Sequence, residues 1–168
     1  TITRSWPAAS NTLIASGAAL AERDARVERV VICTPDKDLG QSDRGTRVVQ
    51  LDRRRNLTRD EAGVVSKFGV PPASIPDYLA LVGDAADGYP GLKGWGPKSS
   101  AAVLAKFRHL QAIPEDWRMW KVNAANAATL AATLVRDREQ AMLFRDLATL
   151  RSDIALFESV DELEWRGP

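Results

Sequence analysis

The chain has little of the residue types on which compact chemical centres are most often built. Its 168 residues include one cysteine, Cys33, and one histidine, His109. A single cysteine excludes an intramolecular disulfide framework and any cysteine-based zinc cluster within the chain. A single histidine likewise excludes a His-rich metal centre and a two-histidine mechanism. No apolar run approaches the roughly 18 residues of a membrane helix, and no secretory signal pattern is present. Charge of one sign is also lacking, since 23 Lys+Arg stand against 22 Asp+Glu. Chemistry therefore falls to carboxylates, hydroxyls and basic groups, and a reducing, cytoplasmic setting without membrane partners is expected. The length suits one domain, or a large and a small subdomain. Starting at Thr1, the sequence reads as part of a longer protein.

The balanced total hides a pattern. Residues 61–90 carry Lys67 against Glu61, Asp77, Asp84 and Asp87, whereas no acid occurs between Gly88 and Pro114. A carboxylate group followed by a basic stretch suits metal-assisted chemistry on a polyanion. A solvated surface with chance clustering is the plainer alternative.

Periodicity predicts an alanine-rich helix over 8–25, then a β-branched buried strand over Val27–Cys33. Residues 46–51 form a second strand candidate, followed by a polar turn from Asp52 to Asn56. Thr58-Arg59-Asp60-Glu61 reads as a capping box opening a helix to Phe68. Pro76 suits the first turn of a helix that ends at Gly83. Residues 83–97 contain five Gly and two Pro and exclude a regular element. Helices resume after Pro97, over about 122–135 and over about 137–150, with Ile154–Phe157 a possible last strand.

Three motifs carry chemistry. Thr34-Pro35-Asp36-Lys37-Asp38-Leu39 follows the first strand, and the carboxyl end of a parallel strand is where open α/β sheets place ligands. Two Asp spaced i, i+2 can turn their carboxylates to one side, as hard cations require. Gly83-Asp84-Ala85-Ala86-Asp87 places two more carboxylates three apart, on one face if the helix persists. Turn formation explains either pair alone; together they suit two cations roughly 4 Å apart acting on a phosphodiester. The third motif is Pro90-Gly91-Leu92-Lys93-Gly94-Trp95-Gly96-Pro97-Lys98-Ser99-Ser100. Gly94 and Gly96 admit an anion close to the backbone, Pro97 starts a helix whose N-terminus favours phosphate, and Lys93 and Lys98 add charge. This is the design of a helix–hairpin–helix that holds a nucleic-acid backbone without reading bases. The nucleotide-binding Gly-Lys-Ser/Thr loop is absent.

The run T-P-D-K-D-L-G-Q, followed by F-G-V-P-P-A-S-I-P-D-Y-L-A-L-V-G-D-A-A-D-G-Y-P-G-L-K-G-W-G-P-K-S-S, resembles the bacterial 5'-3' exonuclease and flap endonuclease family. That family includes the 5'-nuclease domain of DNA polymerase I. The resemblance implies an α/β fold: the C-terminal part of a PIN-like nuclease core, then a helical helix–hairpin–helix subdomain. On that basis residues 1–55 are a partial core with an incomplete sheet. Residues 56–150 are the helical subdomain, with its hairpin motif at 83–107, and 151–168 are a segment with the option of returning to the core. The resemblance implies Mg²⁺ or Mn²⁺ in a two-metal site, with Asp36, Asp38, Asp84 and Asp87 as catalytic ligands. It places Gly91, Lys93, Gly94, Gly96, Lys98 and Ser99 on DNA, with K⁺ at the hairpin. The implied substrate is branched, nicked or 5'-flapped duplex DNA, acted on by a monomer associated with the bacterial nucleoid.

One departure stands out. Where the family has Glu-Ala-Asp-Asp, this sequence has Ala8-Ala9-Ser10-Asn11, and the family's N-terminal third is missing. The expectation is an impaired first metal site and weak or no catalysis by this chain alone. A non-catalytic DNA-binding module is therefore the competing reading. An unrelated Asp-x-Asp phosphotransferase is a third, for which the glycine hairpin offers no nucleotide pocket. Among the remaining residues, Cys33 is expected to be a buried small hydrophobe and His109 a surface or phosphate-side residue. Trp95, Trp117 and Trp120 are expected in the core. Arg44, Arg47 and Arg53-Arg54-Arg55 are read as solvated, with a DNA-backbone contact left open.

Overall fold

In the computed structural model the residues described are 11–167. They form two compact units. One comprises the described residues up to Glu61 together with those from Leu150 onward; the other is Ala62–Thr149. Each is mixed or helical according to its sequence, giving a small three-stranded sheet and six α-helices among the described residues. None of these helices is long and apolar enough to cross a membrane.

The first unit opens with α1 (Asn11–Arg23), which buries Ala15, Ser16, Gly17 and Ala18. Small side chains on that face let the helix lie close to its neighbours. Ala8, Ala9 and Ser10, expected to begin this helix, lie outside the described residues. Strand β1 (Val30–Ile32) pairs in parallel with β2 (Val48–Asp52), which pairs antiparallel with β3 (Leu57–Arg59). The parallel pair needs a long crossover, and residues 33–47 supply it with a short 3₁₀ helix at Asp38–Ser42. Ala15, Ala18, Ile32, Leu39 and Val48 form the core of this unit.

Several expectations fail here for one reason: strand pairing depends on distant partners. Only Val30–Ile32 of the predicted 27–33 strand is extended in the ladder, and only Ile32 is buried. Strand β1 is an edge of the described sheet, so Val31 is 46% exposed and Cys33 is exposed rather than buried. The Thr58–Glu61 capping box does not form. Thr58 lies in β3 opposite Leu51, and the Glu61 carboxylate accepts the Gly45 N–H at 2.8 Å. Ile154–Phe157 is not a strand. The Ile154 N–H donates instead to Ser16 Oγ (3.3 Å), which donates to the Arg151 carbonyl at 3.1 Å. Arg53, Arg54 and Arg55 are exposed in the β2–β3 turn, as read.

The second unit contains α2 (Glu61–Phe68, whose first residue belongs to the first unit), α3 (Ile75–Val82), α4 (Pro97–Phe107), α5 (Ala127–Arg136) and α6 (Arg138–Ala148). Helix α3 is buried from Ile75 through Leu81 and forms the axis of the core. Helix α5 starts at Ala127, later than predicted, because Lys121 (φ 48°) and Asn126 (φ 57°) are left-handed. Trp95 and Trp120 are buried with ring centroids 5.8 Å apart, whereas Trp117 is 41% exposed and not in the core. His109 lies at the surface, as expected, and is paired there. Its Nδ1 lies 3.0 Å from Oδ2 of the buried Asp77, whose Oδ1 accepts the Leu110 N–H at 2.9 Å. This links the first turn of α3 to the chain leaving α4.

Two backbone segments cross closely at the end of α3. Gly83 has φ +90° and Gly91 φ +73°, and the Leu92 N–H donates to the Leu81 carbonyl at 2.9 Å. A Cβ on Gly91 would lie 2.4 Å from the Gly83 nitrogen and 2.6 Å from the Leu81 oxygen. Backbone atoms cannot move aside as a flexible side chain does. Gly91→Ala is therefore expected to lower stability in urea unfolding by about 2–4 kcal/mol, combining left-handed strain with overpacking. Gly88→Ala, at φ +84° with nothing within 4 Å, should cost only about 1–2 kcal/mol.

Candidate metal and nucleic-acid site

In the first unit the chain leaves β1 at Ile32 and reaches Asp36 through a turn. The Asp36 N–H donates to Thr34 Oγ1 (3.2 Å), and the Asp38 N–H donates to Asp36 Oδ1 (3.1 Å). Asp36 Oδ2 accepts from Asn11 Nδ2 at 2.9 Å. Asp36 and Asp38 are thus brought together at the carboxyl end of a parallel strand. Asp38 is 6% exposed, with the Lys37 ammonium 3.9 Å from its Oδ1. Two glutamines hold the main chain. Gln50 Nε2 donates to the Asp36 carbonyl at 2.7 Å and Gln41 Nε2 to the Asp38 carbonyl at 2.9 Å. The donors on this turn are carboxylate oxygens, a set that suits a hard divalent cation rather than a thiophilic one. Asn11 adds no negative charge at the position where the sequence also predicted none.

In the second unit, α3 ends at Gly83 and does not persist through Asp87, so the two aspartates are not on successive helical turns. They occupy a tight loop instead. Asp84 and Tyr89 exchange both backbone hydrogen bonds, at 2.8 and 3.1 Å, and Asp84 Oδ1 accepts the Ala86 N–H at 3.1 Å. Asp84 is 6% exposed, while Asp87 is exposed near the loop tip. Tyr89 stacks on Phe144 of α6 (centroids 5.5 Å apart), anchoring the base of the loop.

The hairpin at 90–99 follows directly. Trp95 is buried beneath it and its Nε1–H donates to the Leu130 carbonyl at 3.2 Å. Gly94 has φ +87°; Gly96 is extended, and a side chain there would meet open space. Ser99 Oγ accepts the Gly96 N–H (3.1 Å) and donates to the Gly96 carbonyl (3.0 Å), closing the start of α4. Lys93 and Lys98 are exposed.

The motifs alone did not point to Gln50, Gln41, Arg59 or Asp43. Gln50 is 1% exposed and sits in β2 between Ile32 and Arg59. Its Oε1 accepts a short hydrogen bond from Arg59 Nη2. An amide within the apolar run V-V-Q-L was the available signal. Asp43 is completely buried, and neither carboxylate oxygen has a hydrogen-bond partner. Burial pushes its carboxyl up from the ordinary 3.8 to about 7, against the pull of Arg59 and Arg44 and with a small push from Asp60 and Glu61. Burial also holds Arg59 below its ordinary value, opposed by Asp43 and Asp52.

The described residues form a mixed α/β protein with the 5'-exonuclease fold. The T5 5'-exonuclease, solved with divalent metal ions (zinc) bound, superimposes with a TM-score of 0.64 at 14% identity, over 80% of this chain and 48% of that one. The T5 D15 protein co-crystallized with metal ions gives 0.63 at 15%, over 86% and 51%. Residues 70–168 match the family described as 5'-3' exonuclease, C-terminal SAM fold, and the chain belongs to that family. DNA polymerase I of Pseudomonas aeruginosa is 35% identical over 153 residues, 86% of this chain and 16% of that protein. The 5'-3' exonuclease of Aquifex aeolicus is 32% identical over 140 residues, 83% of this chain and 45% of that protein. The chain thus spans less than half the length of these curated relatives.

Asp43 generates a pH prediction. Its folded value lies above its unfolded one, so folding takes up a proton between pH 3.8 and about 7. Stability contributed by this group therefore falls as pH rises through that window and is level above it. Asp43→Val is expected to raise stability by about 1–3 kcal/mol at pH 8 and to give little gain at pH 4, measured by urea unfolding at both values.

Proposed function

We propose that the chain is the C-terminal portion of a metal-dependent 5'-3' exonuclease or 5'-flap endonuclease acting on branched, nicked or flapped duplex DNA. Asp36, Asp38, Asp84 and Asp87 are the proposed ligands for Mg²⁺ or Mn²⁺. Divalent ions there would supply electrostatic stabilisation of charge building on a scissile phosphate and a lowered pKa for water. Gly91, Lys93, Gly94, Gly96, Lys98 and Ser99 are the proposed grip on the sugar–phosphate backbone, with K⁺ as a further occupant of the hairpin. The observation that carries this reading is the pre-formed Asp36–Asp38 turn at the carboxyl end of β1, in a chain of this family.

In this scheme Asp36 contributes a carboxylate held by hydrogen bonds from Asn11 and the Asp38 N–H, and Asp38 adds a second carboxylate beside it. Ser99 keeps the start of α4 closed, and Lys93 and Lys98 attract phosphate through an exposed, salt-sensitive field. The Asn11 carboxamide against Asp36 Oδ2 specifically favours a second reading, in which the chain binds DNA without cutting it. A neutral partner at that place leaves less charge to strip water from Mg²⁺.

Titrating Mg²⁺ and Mn²⁺ on a 5'-flap duplex separates the two. The nuclease reading expects slow, metal-dependent cleavage that drops at least about a hundredfold in Asp36→Ala, since removing ligand charge weakens the ion's hold. It also expects faster cleavage in Asn11→Asp. Salt-sensitive duplex binding without any metal-dependent cleavage assigns the module reading. For either, Lys98→Ala should weaken duplex binding and reduce the salt slope by about 1. Binding that ignores salt contradicts both.

A further inference from the structure

We propose that Gln50 is a positioning residue for the Asp36–Asp38 turn, oriented for that task by Arg59; this rests on the reading of Asp36 and Asp38 as metal ligands. Gln50 is all but completely buried in the middle strand of the described sheet. A buried carboxamide has two donors and an acceptor to satisfy, and an amide there needs a reason that packing does not provide. Its Nε2 donates to the Asp36 carbonyl at 2.7 Å, and its Oε1 accepts from the Arg59 guanidinium. Arg59 is the cross-strand neighbour of Gln50 on β3, while Ile32, the last residue of β1, is its neighbour on the other side.

Arg59 has only donors, so it fixes which end of the carboxamide faces it: the oxygen points to Arg59 and the NH₂ group to Asp36. The bond falls on the main chain of Asp36, whose own side chain receives the Asp38 N–H. Gln50 therefore sets the height of the turn above the sheet without spending either carboxylate. Asp43 and Asp52 lie close enough to Arg59 to oppose the effect of its burial. Gln41 braces the carbonyl of Asp38, two residues on, and is itself tied to the Leu150 N–H at 3.0 Å.

Two substitutions separate positioning from plain structural support. Gln50→Leu removes donor and acceptor. Gln50→Glu keeps an acceptor for Arg59, and so supports the strand pair, but loses the donor to Asp36. Mn²⁺ alone is the probe, with bound ion counted by electron paramagnetic resonance. Exchange of the Asp38 amide hydrogen in the metal-free chain is the second readout. Positioning predicts that both variants weaken Mn²⁺ binding about tenfold or more, in the range for groups that orient metal ligands, and that both speed Asp38 exchange. Gln50→Glu is expected to keep a cooperative thermal transition, so a Leu variant that fails to fold does not decide the matter. Mn²⁺ binding and Asp38 exchange in Gln50→Glu both within twofold of the parent overturn the inference and leave the metal reading standing. A parent whose Mn²⁺ binding is absent, or survives Asp36→Asn, overturns the metal reading and this inference with it.

Discussion

Two carboxylates two residues apart repel each other, and the first unit holds their turn in place with hydrogen bonds. Asp36 receives the Asp38 N–H on one oxygen and the Asn11 NH₂ group on the other, while its carbonyl is held by Gln50. These hydrogen bonds fix where the turn sits, with the Lys37 ammonium 3.9 Å from Asp38 Oδ1. The crossover from β1 to β2 follows from the same need. It places the turn at the end of a parallel strand and returns the chain to put Gln50 beneath Asp36. Buried Asp43, by contrast, has no hydrogen bond to offset its desolvation, and it makes this unit's stability depend on pH.

The second unit solves a different problem, holding an irregular loop and hairpin still. Backbone contact between Gly83 and Gly91 fixes where the two segments cross. Tyr89 on Phe144 and Trp95 on the Leu130 carbonyl hold the loop and the hairpin to α6 and α5. Rigid aromatic anchors below leave Lys93, Gly94, Lys98 and Asp87 at the surface. A backbone-holding element needs this combination, because phosphate contacts position a duplex only if the amides and ammonium groups are themselves fixed.

Features encoded by neighbours in the chain were legible before the structure. Pro76 and Pro97 marked the starts of α3 and α4, glycine density marked the loop, and both aspartate pairs fall in turns. Features encoded by distant partners were not. Thr58 reads as a cap until Leu51 is known to pair with it, and Cys33 reads as buried until β1 is seen at a sheet edge. His109 reads as a surface residue and is one, but its hydrogen bond to the buried Asp77 of α3 was not legible. Gln50 belongs to the same group, since its role depends on Arg59 across the hairpin and Asp36 across the crossover. Asp84 and Asp87 would share a helical face only if α3 persisted, and it stops at Val82 with Gly83 as its cap, as the sequence predicted.

The proposed function turns on a divalent cation held at the Asp36–Asp38 turn. The direct measurement is paramagnetic broadening of backbone amide signals as Mn²⁺ is added below stoichiometry. The account predicts that the amides of residues 36–38 broaden first as Mn²⁺ is added, and that Asp38→Asn removes the effect. Broadening absent from residues 36–38 while exposed carboxylates elsewhere respond would contradict it.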